Sequence, residues 1–196
     1  MAAGIATVVP GDEQLLASAM RGDRHAQDEL FRRHRLVAYR VAYRLLGNEA
    51  DALDAVQDAF VKALTHLPGF QGRSTFKTWL LRVVSNASLD LGRQRGRREA
   101  ISFDAMGLQS REDVEPLVED APARNLERED LRRLLQQALD QLPPAQRQTF
   151  VLHAEAGLSY REVAGTLNIS IGTVMSRLYY ARQKLRALLD VWARPQ

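Results

Sequence analysis

The segment from Gly157 to Leu178 constrains this chain more than any other. It reads Gly157-Leu158-Ser159-Tyr160-Arg161-Glu162-Val163-Ala164-Gly165-Thr166-Leu167-Asn168-Ile169-Ser170-Ile171-Gly172-Thr173-Val174-Met175-Ser176-Arg177-Leu178. Its local signals describe two short helices around a tight turn. Ser159 and Glu162 have the spacing of a capping box, which starts the first helix. Val163 and Leu167 give that helix an apolar face, and Ala164 is small where a second helix must cross closely. Asn168 falls where the chain needs a left-handed residue, a conformation Asn tolerates better than most. Ser170 is positioned to cap the second helix. Val174, Leu178, Ala181, Leu185 and Leu188 then recur at helical spacing.

This is the pattern of a helix-turn-helix, whose second helix enters the major groove of DNA. With Val174, Leu178 and Ala181 buried, the opposite face carries Thr173, Ser176, Arg177, Tyr180 and Lys184. The hydroxyls can bond phosphates or base edges, and Arg177 can reach guanine bidentately or sit on phosphate. An amphipathic helix with an ordinary solvated face has the same pattern, so the rest of the chain decides between the two.

At 196 residues the chain has room for one domain or two small ones, and 45% hydrophobic content is enough for packed cores. The formal charge of +3 permits nucleic-acid binding without demanding it. Of 27 basic residues only Lys62, Lys77 and Lys184 are lysines, leaving 24 arginines. That bias favours bidentate phosphate and base contacts, although a GC-rich genome produces it too. With no cysteine, disulfides, a thiol switch and a Cys-ligated zinc are excluded. His25, His34, His66 and His153 are scattered without metal-site spacing, and no cofactor motif is present. Residues 1–10 lack the basic start and apolar run of a signal peptide. No stretch approaches the ~20 apolar residues of a membrane span. A cytoplasmic chain with no membrane span of its own is the expectation.

The periodicity is helical nearly throughout, so the fold class read from sequence is all-α. A short helix spans Asp12 to about Met20. A long one starts near Asp23 and ends at Gly47, with Leu30, His34, Val37, Val41 and Leu45 as its stripe and His34 at the core edge. A third runs from Asn48 to about Leu67, stopped by Pro68-Gly69. A fourth follows Ser74 and carries Phe76, Trp79, Leu80, Val83 and Ala87 on one face. From Glu99 to Arg124 the periodicity fades among Ser, Asp, Glu, Gly and Pro, the signature of a flexible linker. A second helical block begins at Asn125, with Leu131, Leu134, Leu135, Ala138 and Leu142 before Pro143-Pro144, and ends in the helix-turn-helix. Two small helical domains on a tether result: 12–98, a linker over 99–124, and 125–192.

The third helix carries Asp51, Asp54 and Asp58 opposite an expected apolar face of Leu53, Val56, Phe60 and Leu64. A solvated face, a carboxylate metal site and a docking face for a basic protein all fit. The metal site needs ligands from other elements, and no motif supplies them. The docking face gains from Gln57 beside the carboxylates. The fourth helix is the reverse: Arg82, Asn86, Arg93 and Arg97 fall near one line, with Arg95 and Arg98 thickening its end. Such a stripe can track a phosphate backbone while Asn86 reads a base edge. The loop before it, Phe70-Gln71-Gly72-Arg73-Ser74-Thr75, has the composition to receive an unstacked base. Phe70 is the candidate for an exposed stacking contact, with Phe76 and Trp79 assigned to the core.

Taken together, three segments of the first module resemble the region-two domain of extracytoplasmic-function (group IV) sigma factors. They are Asp54-Ala-Val-Gln-Asp-Ala-Phe60, Phe70-Gln-Gly-Arg-Ser-Thr-Phe-Lys-Thr-Trp-Leu-Leu-Arg-Val-Val-Ser-Asn86 and Asp90-Leu-Gly-Arg93. The second module resembles their region-four domain through Leu142-Pro143, Arg147, Phe150-Val-Leu152, Gly157 to Ala164 and Gly172 to Arg177. The resemblance implies a non-enzymatic transcription initiation factor, monomeric when free. Its partners would be the RNA polymerase core (clamp coiled coil and flap), promoter DNA and an anti-sigma factor.

The resemblance further implies that Asp51, Asp54, Gln57 and Asp58 dock on the basic clamp coiled coil. Phe70, Gly72, Arg73, Ser74, Thr75, Arg82, Asn86, Arg93 and Arg97 would melt and hold the −10 element. Thr173, Ser176, Arg177, Tyr180 and Lys184 would read the −35 element. Met175 and Tyr180 stand where many members carry basic residues, and Arg161 where an acid is usual, so the −35 sequence itself stays open. A stand-alone dimeric helix-turn-helix regulator is the alternative. It gives no role to the acidic helix or to the Phe70–Arg98 segment.

Overall fold

The computed structural model describes residues 10–103 and 122–192, and among these the regular structure is helical. Four helices form the first module: α1 (Asp12–Met20), α2 (Arg24–Leu46), α3 (Glu49–His66) and α4 (Phe76–Phe103). Four more form the second: α5 (Pro122–Asp140), α6 (Pro144–Ala154), α7 (Tyr160–Leu167) and α8 (Ile171–Trp192). The expected linker over 99–124 is shortened at both ends by helix, and residues 104–121 lie outside the described chain.

Local chemistry sets the helix ends. The Asp23 carboxylate accepts the Ala26 N–H and starts α2. Gly47, at φ 79°, stops it in the left-handed region, where glycine carries no Cβ penalty. Asn48 caps α3 through the Asp51 N–H at 2.8 Å. Leu67–Gly69 then makes one 3-10 turn ahead of the loop to α4.

The α3 face that is buried differs from the one expected. Ala52, Ala55, Ala59 and Ala63 are the buried residues, whereas Leu53 is 52% and Leu64 39% exposed. Val56 and Phe60 are only half-buried, Phe60 meeting Phe31 with centroids 4.8 Å apart. Small side chains let α3 lie close against both α2 and α4, so the helix packs through its alanines and leaves leucines in water. On α5, Leu131 is likewise exposed, and the buried residues there are Gln136, Ala138 and Leu139, followed by Leu142.

Helix α4 is buried more widely than one amphipathic stripe allows. Phe76, Leu80, Leu81, Val84 and Ala87 are buried, together with Thr78, Ser85 and Ser88, while Trp79 and Val83 are half-buried. The second module contributes to this burial, since α7 packs on α4; α6 packs alongside on α2. Polar contacts accompany this seam. Thr78 Oγ1 donates to Glu162 Oε1 at 2.9 Å, and Gln148 Nε2 to Ser85 Oγ at 3.4 Å. Arg44 pairs with Glu155 at 3.1 Å, and Arg147 Nη1 donates to the Leu45 carbonyl at 3.2 Å. His34 is buried, with Nε2 2.8 Å from Asp12 Oδ2.

Candidate nucleic-acid interface

Helices α7 and α8 form the helix-turn-helix with the anticipated joints. Ser159 and Glu162 close a reciprocal capping box, the Ser159 N–H donating to Glu162 Oε2 at 2.8 Å. Asn168 takes φ 53° and ψ 49°. The Thr173 N–H donates to Ser170 Oγ at 3.0 Å, so Ser170 caps α8. Val163 and Ala164 of α7 and Val174, Leu178, Ala181 and Leu185 of α8 are buried, which fixes the angle at which α8 is presented.

Of the expected −35 residues, Ser176, Tyr180 and Lys184 are exposed and Thr173 and Arg177 half-buried. Thr173 shares its hydroxyl with Ser170 at 2.8 Å, and Ser176 Oγ donates to the Thr173 carbonyl at 3.0 Å. Both hydroxyl oxygens keep acceptor capacity for an incoming donor. Lys184 Nζ donates to the Gln141 carbonyl. Arg177 makes no hydrogen bond or ion pair among the described residues. Sequence reasoning assigned no role to Ile171 and Tyr179 and noted Met175 only as a departure from the family pattern; all three are also exposed on α8. The signal was available in their four-residue spacing, away from the buried stripe.

The first module holds a second basic face. The side chains of Arg82 and Asn86 are exposed and, among the described residues, make no hydrogen bond or ion pair. Arg93 pairs with Asp90 at 3.1 Å, so an acid interrupts the stripe, and Arg97 Nε donates to the Arg93 carbonyl at 3.3 Å. Arg95 pairs with Asp51, and the side chain of Arg98 lies outside the described residues. In the preceding loop Gly72 has φ 66°, and Gly72, Arg73, Ser74 and Thr75 are exposed. Two loop residues are more committed than expected. Phe70 is half-buried, edge-on against Trp79 with centroids 5.3 Å apart, so it is not a freely exposed ring. Thr75 caps α4, its Oγ1 accepting the Thr78 N–H at 3.1 Å.

The acidic face of α3 divides in the same way. Asp54, Gln57 and Asp58 are exposed, with no hydrogen bond or ion pair among the described residues. Asp51 is tied inward: Asn48 Nδ2 donates to it at 2.7 Å and Arg95 pairs with it. Burial raises the Asp51 carboxyl, but the Asn48 and Arg95 contacts outweigh it and hold the group below its usual range. Among the described residues no three His, Asp or Glu side chains converge as metal ligands.

Two protein families match this chain in the order of its modules, Sigma-70 region 2 over residues 30–98 and Sigma-70 region 4 over residues 132–185. The chain belongs to the ECF RNA polymerase sigma factors of the sigma-70 family. The ECF RNA polymerase sigma factor SigE of Mycolicibacterium smegmatis is 39% identical over 189 residues, covering 93% of this chain and 70% of that protein. Among solved structures, CnrH in complex with the cytosolic domain of CnrY is similar at a TM-score of 0.69 and 30% identity, covering 92% of this chain and 97% of the other. The sigma factor RpoE of Bartonella quintana, solved with the anti-sigma factor NepR, matches at a TM-score of 0.63 and 27% identity, covering 93% and 98%. As a member of this family the chain is a transcription initiation factor that directs RNA polymerase to promoters. No helix among the described residues is long and apolar enough to cross a membrane.

Proposed function

We propose that this ECF sigma factor divides its work between its modules as follows. Residues 12–98 dock on core polymerase and melt the −10 element, residues 99–124 tether, and residues 125–192 read the −35 element. The observation that carries the reading is the pair of basic faces, one per module, beside an acidic helix whose Asp54, Gln57 and Asp58 are unpartnered among the described residues. Asp54, Gln57 and Asp58 meet the basic clamp of the polymerase, with Asp51 acting by fixing α3 against Arg95 on α4. Arg82 and Asn86 contact the opened −10 strand, supported by Arg93, Arg97 and the Gly72–Ser74 loop. Phe70 and Thr75 shape that loop from behind, through Trp79 and the α4 cap. Thr173, Ser176, Arg177, Tyr180 and Lys184 face the −35 duplex.

Each face makes a modest, salt-sensitive contact, and the polymerase supplies avidity by fixing their separation. The work is done in the cytoplasm, requires no cofactor and assigns no catalytic role to any residue. Because the similar RpoE structure is a complex with an anti-sigma factor, a partner of that kind is proposed here too. Run-off transcription with purified core polymerase tests the reading. Promoter-dependent transcripts are expected with the full chain, together with weak promoter binding by the chain alone. Tight promoter binding without core polymerase, or no promoter-dependent transcript, overturns it.

A further inference from the structure

Helix α8 presents a row of side chains that the −35 assignment leaves unused. Ile171, Met175 and Tyr179 recur every four residues and are 44%, 55% and 57% exposed. The row lies away from buried Val174, Leu178, Ala181 and Leu185, so packing of the module does not account for it. It continues into exposed Arg182 and Arg186, and these two with Met175, Tyr179, Gln183 and Tyr160 of α7 line an open depression. Tyr179 is held there: its hydroxyl accepts from Gln183 Nε2 at 2.7 Å, and its ring meets Tyr180 edge-on with centroids 5.4 Å apart.

Two further observations say what covers the row. Arg182 and Arg186 adjoin the row, and from Ile171 to Leu189 the helix has no acid. The patch therefore suits a polyanion that also shows apolar groups. Beside the row, a Cβ on Gly172 would meet nothing nearer than Ser170 Oγ at 3.8 Å. The fold thus leaves room for a side chain at 172, and the bare backbone is open to a partner. The first residues of a recognition helix are those that meet base edges. In the major groove the one apolar feature of those edges is the thymine C5-methyl group.

We propose that Met175 and Tyr179 contact thymine methyl groups in the −35 duplex, with Gly172 and Ser176 letting the helix seat against the bases. The inference rests on the promoter reading above and adds a base class to it. Met175 has no donor for the guanine O6 and N7 that a basic side chain would reach bidentately. The position it meets is a T·A pair, recognised by shape and apolar contact.

The test uses holoenzyme assembled from the full chain and core polymerase. A library randomised in the −35 element is selected by run-off transcription, and the selected element is remade with deoxyuridine in place of each thymine in turn. This deletes one methyl and leaves every hydrogen-bonding group. At one or more positions the wild-type holoenzyme is expected to lose about fourfold in promoter affinity, the equivalent of ~0.8 kcal/mol for one buried methyl. Met175→Ala or Tyr179→Ala is expected to weaken binding to the thymine promoter and to abolish that sensitivity, with helicity and core binding retained. Insensitivity to every deoxyuridine, or sensitivity unchanged in both variants, overturns the inference while leaving promoter reading intact. Promoter binding unchanged in both variants also overturns it and assigns the row to a protein partner. Absence of any promoter-dependent transcript fails the wider reading, a separate readout from the methyl scan.

Discussion

Thr78 and Glu162, 84 positions apart, meet through a 2.9 Å hydrogen bond from the Thr78 hydroxyl to Glu162 Oε1. The other oxygen of the same carboxylate takes the Ser159 N–H at 2.8 Å and the Ser159 hydroxyl at 2.7 Å. One side chain therefore closes the first turn of α7 and ties that helix to α4. Thr78→Val removes the second task and also the 2.9 Å contact between the Thr78 and Thr75 hydroxyls, whereas Glu162→Gln perturbs both tasks of the carboxylate. Urea unfolding of the two single variants and the double variant should give a coupling of about 0.5–1 kcal/mol, the size of one partly buried hydrogen bond. A coupling of zero would mean that the modules are not joined at this contact in solution.

The same carboxylate carries a pH dependence. The Ser159 hydroxyl and N–H hold Glu162 below its usual range, burial opposes them, and Thr78 and Lys77 add to the lowering. A carboxyl depressed in the folded state contributes stability that is complete above its unfolded value, 4.5 for Glu, and is lost as pH falls through the folded value. The stability gap between wild type and Glu162→Gln should therefore be flat near neutral pH and narrow once pH drops below about 4.5. Urea midpoints measured across that range check it. A gap that widens on acidification would reverse the sign and refute the assignment.

Packing of α3 through alanines makes a pair of opposite expectations. Ala59 has no exposed surface, so Ala59→Leu forces α3 away from its neighbours and should cost about 1–3 kcal/mol. Leu53, on the same helix, is 52% exposed, and Leu53→Ser should change stability by less than about 0.5 kcal/mol. Thermal or urea unfolding distinguishes them. If Leu53→Ser proves the more damaging, the buried face of α3 is wrong.

What the sequence disclosed follows the range of the interactions. Ser159 with Glu162, Asn168, Ser170 and Gly47 act within a turn of themselves, so caps and stops were readable from spacing alone. The buried face of α3 was not, because a hydropathy stripe selects leucine, whereas a close helix crossing selects alanine. The extra burial of Thr78 and Ser85 on α4 goes with contacts to α7 and α6, more than sixty positions away, and no local pattern announces it. The candidate site divides along the same line. Charge spacing marked the acidic and basic faces, but Asp51 is drawn from its row by Arg95, 44 positions on, and Phe70 by Trp79.

That division gives the acidic helix a test of its own. Asp51 and Asp54 sit one turn apart, yet only Asp51 is engaged within the module. Asp51→Asn should lower stability by about 1 kcal/mol through the weakened contact to Arg95. Because its side chain points to α4, affinity for core polymerase should change little. Asp54→Arg with Asp58→Arg should do the reverse. Both residues are exposed, so stability should stay within about 0.5 kcal/mol of wild type. Affinity for core polymerase should fall at least about tenfold, since like charges brought together across an interface cost several kcal/mol. Competition binding against labelled wild-type chain measures the second effect and urea unfolding the first. Retained affinity in the double charge reversal would remove α3 as the docking face, whatever the promoter data give.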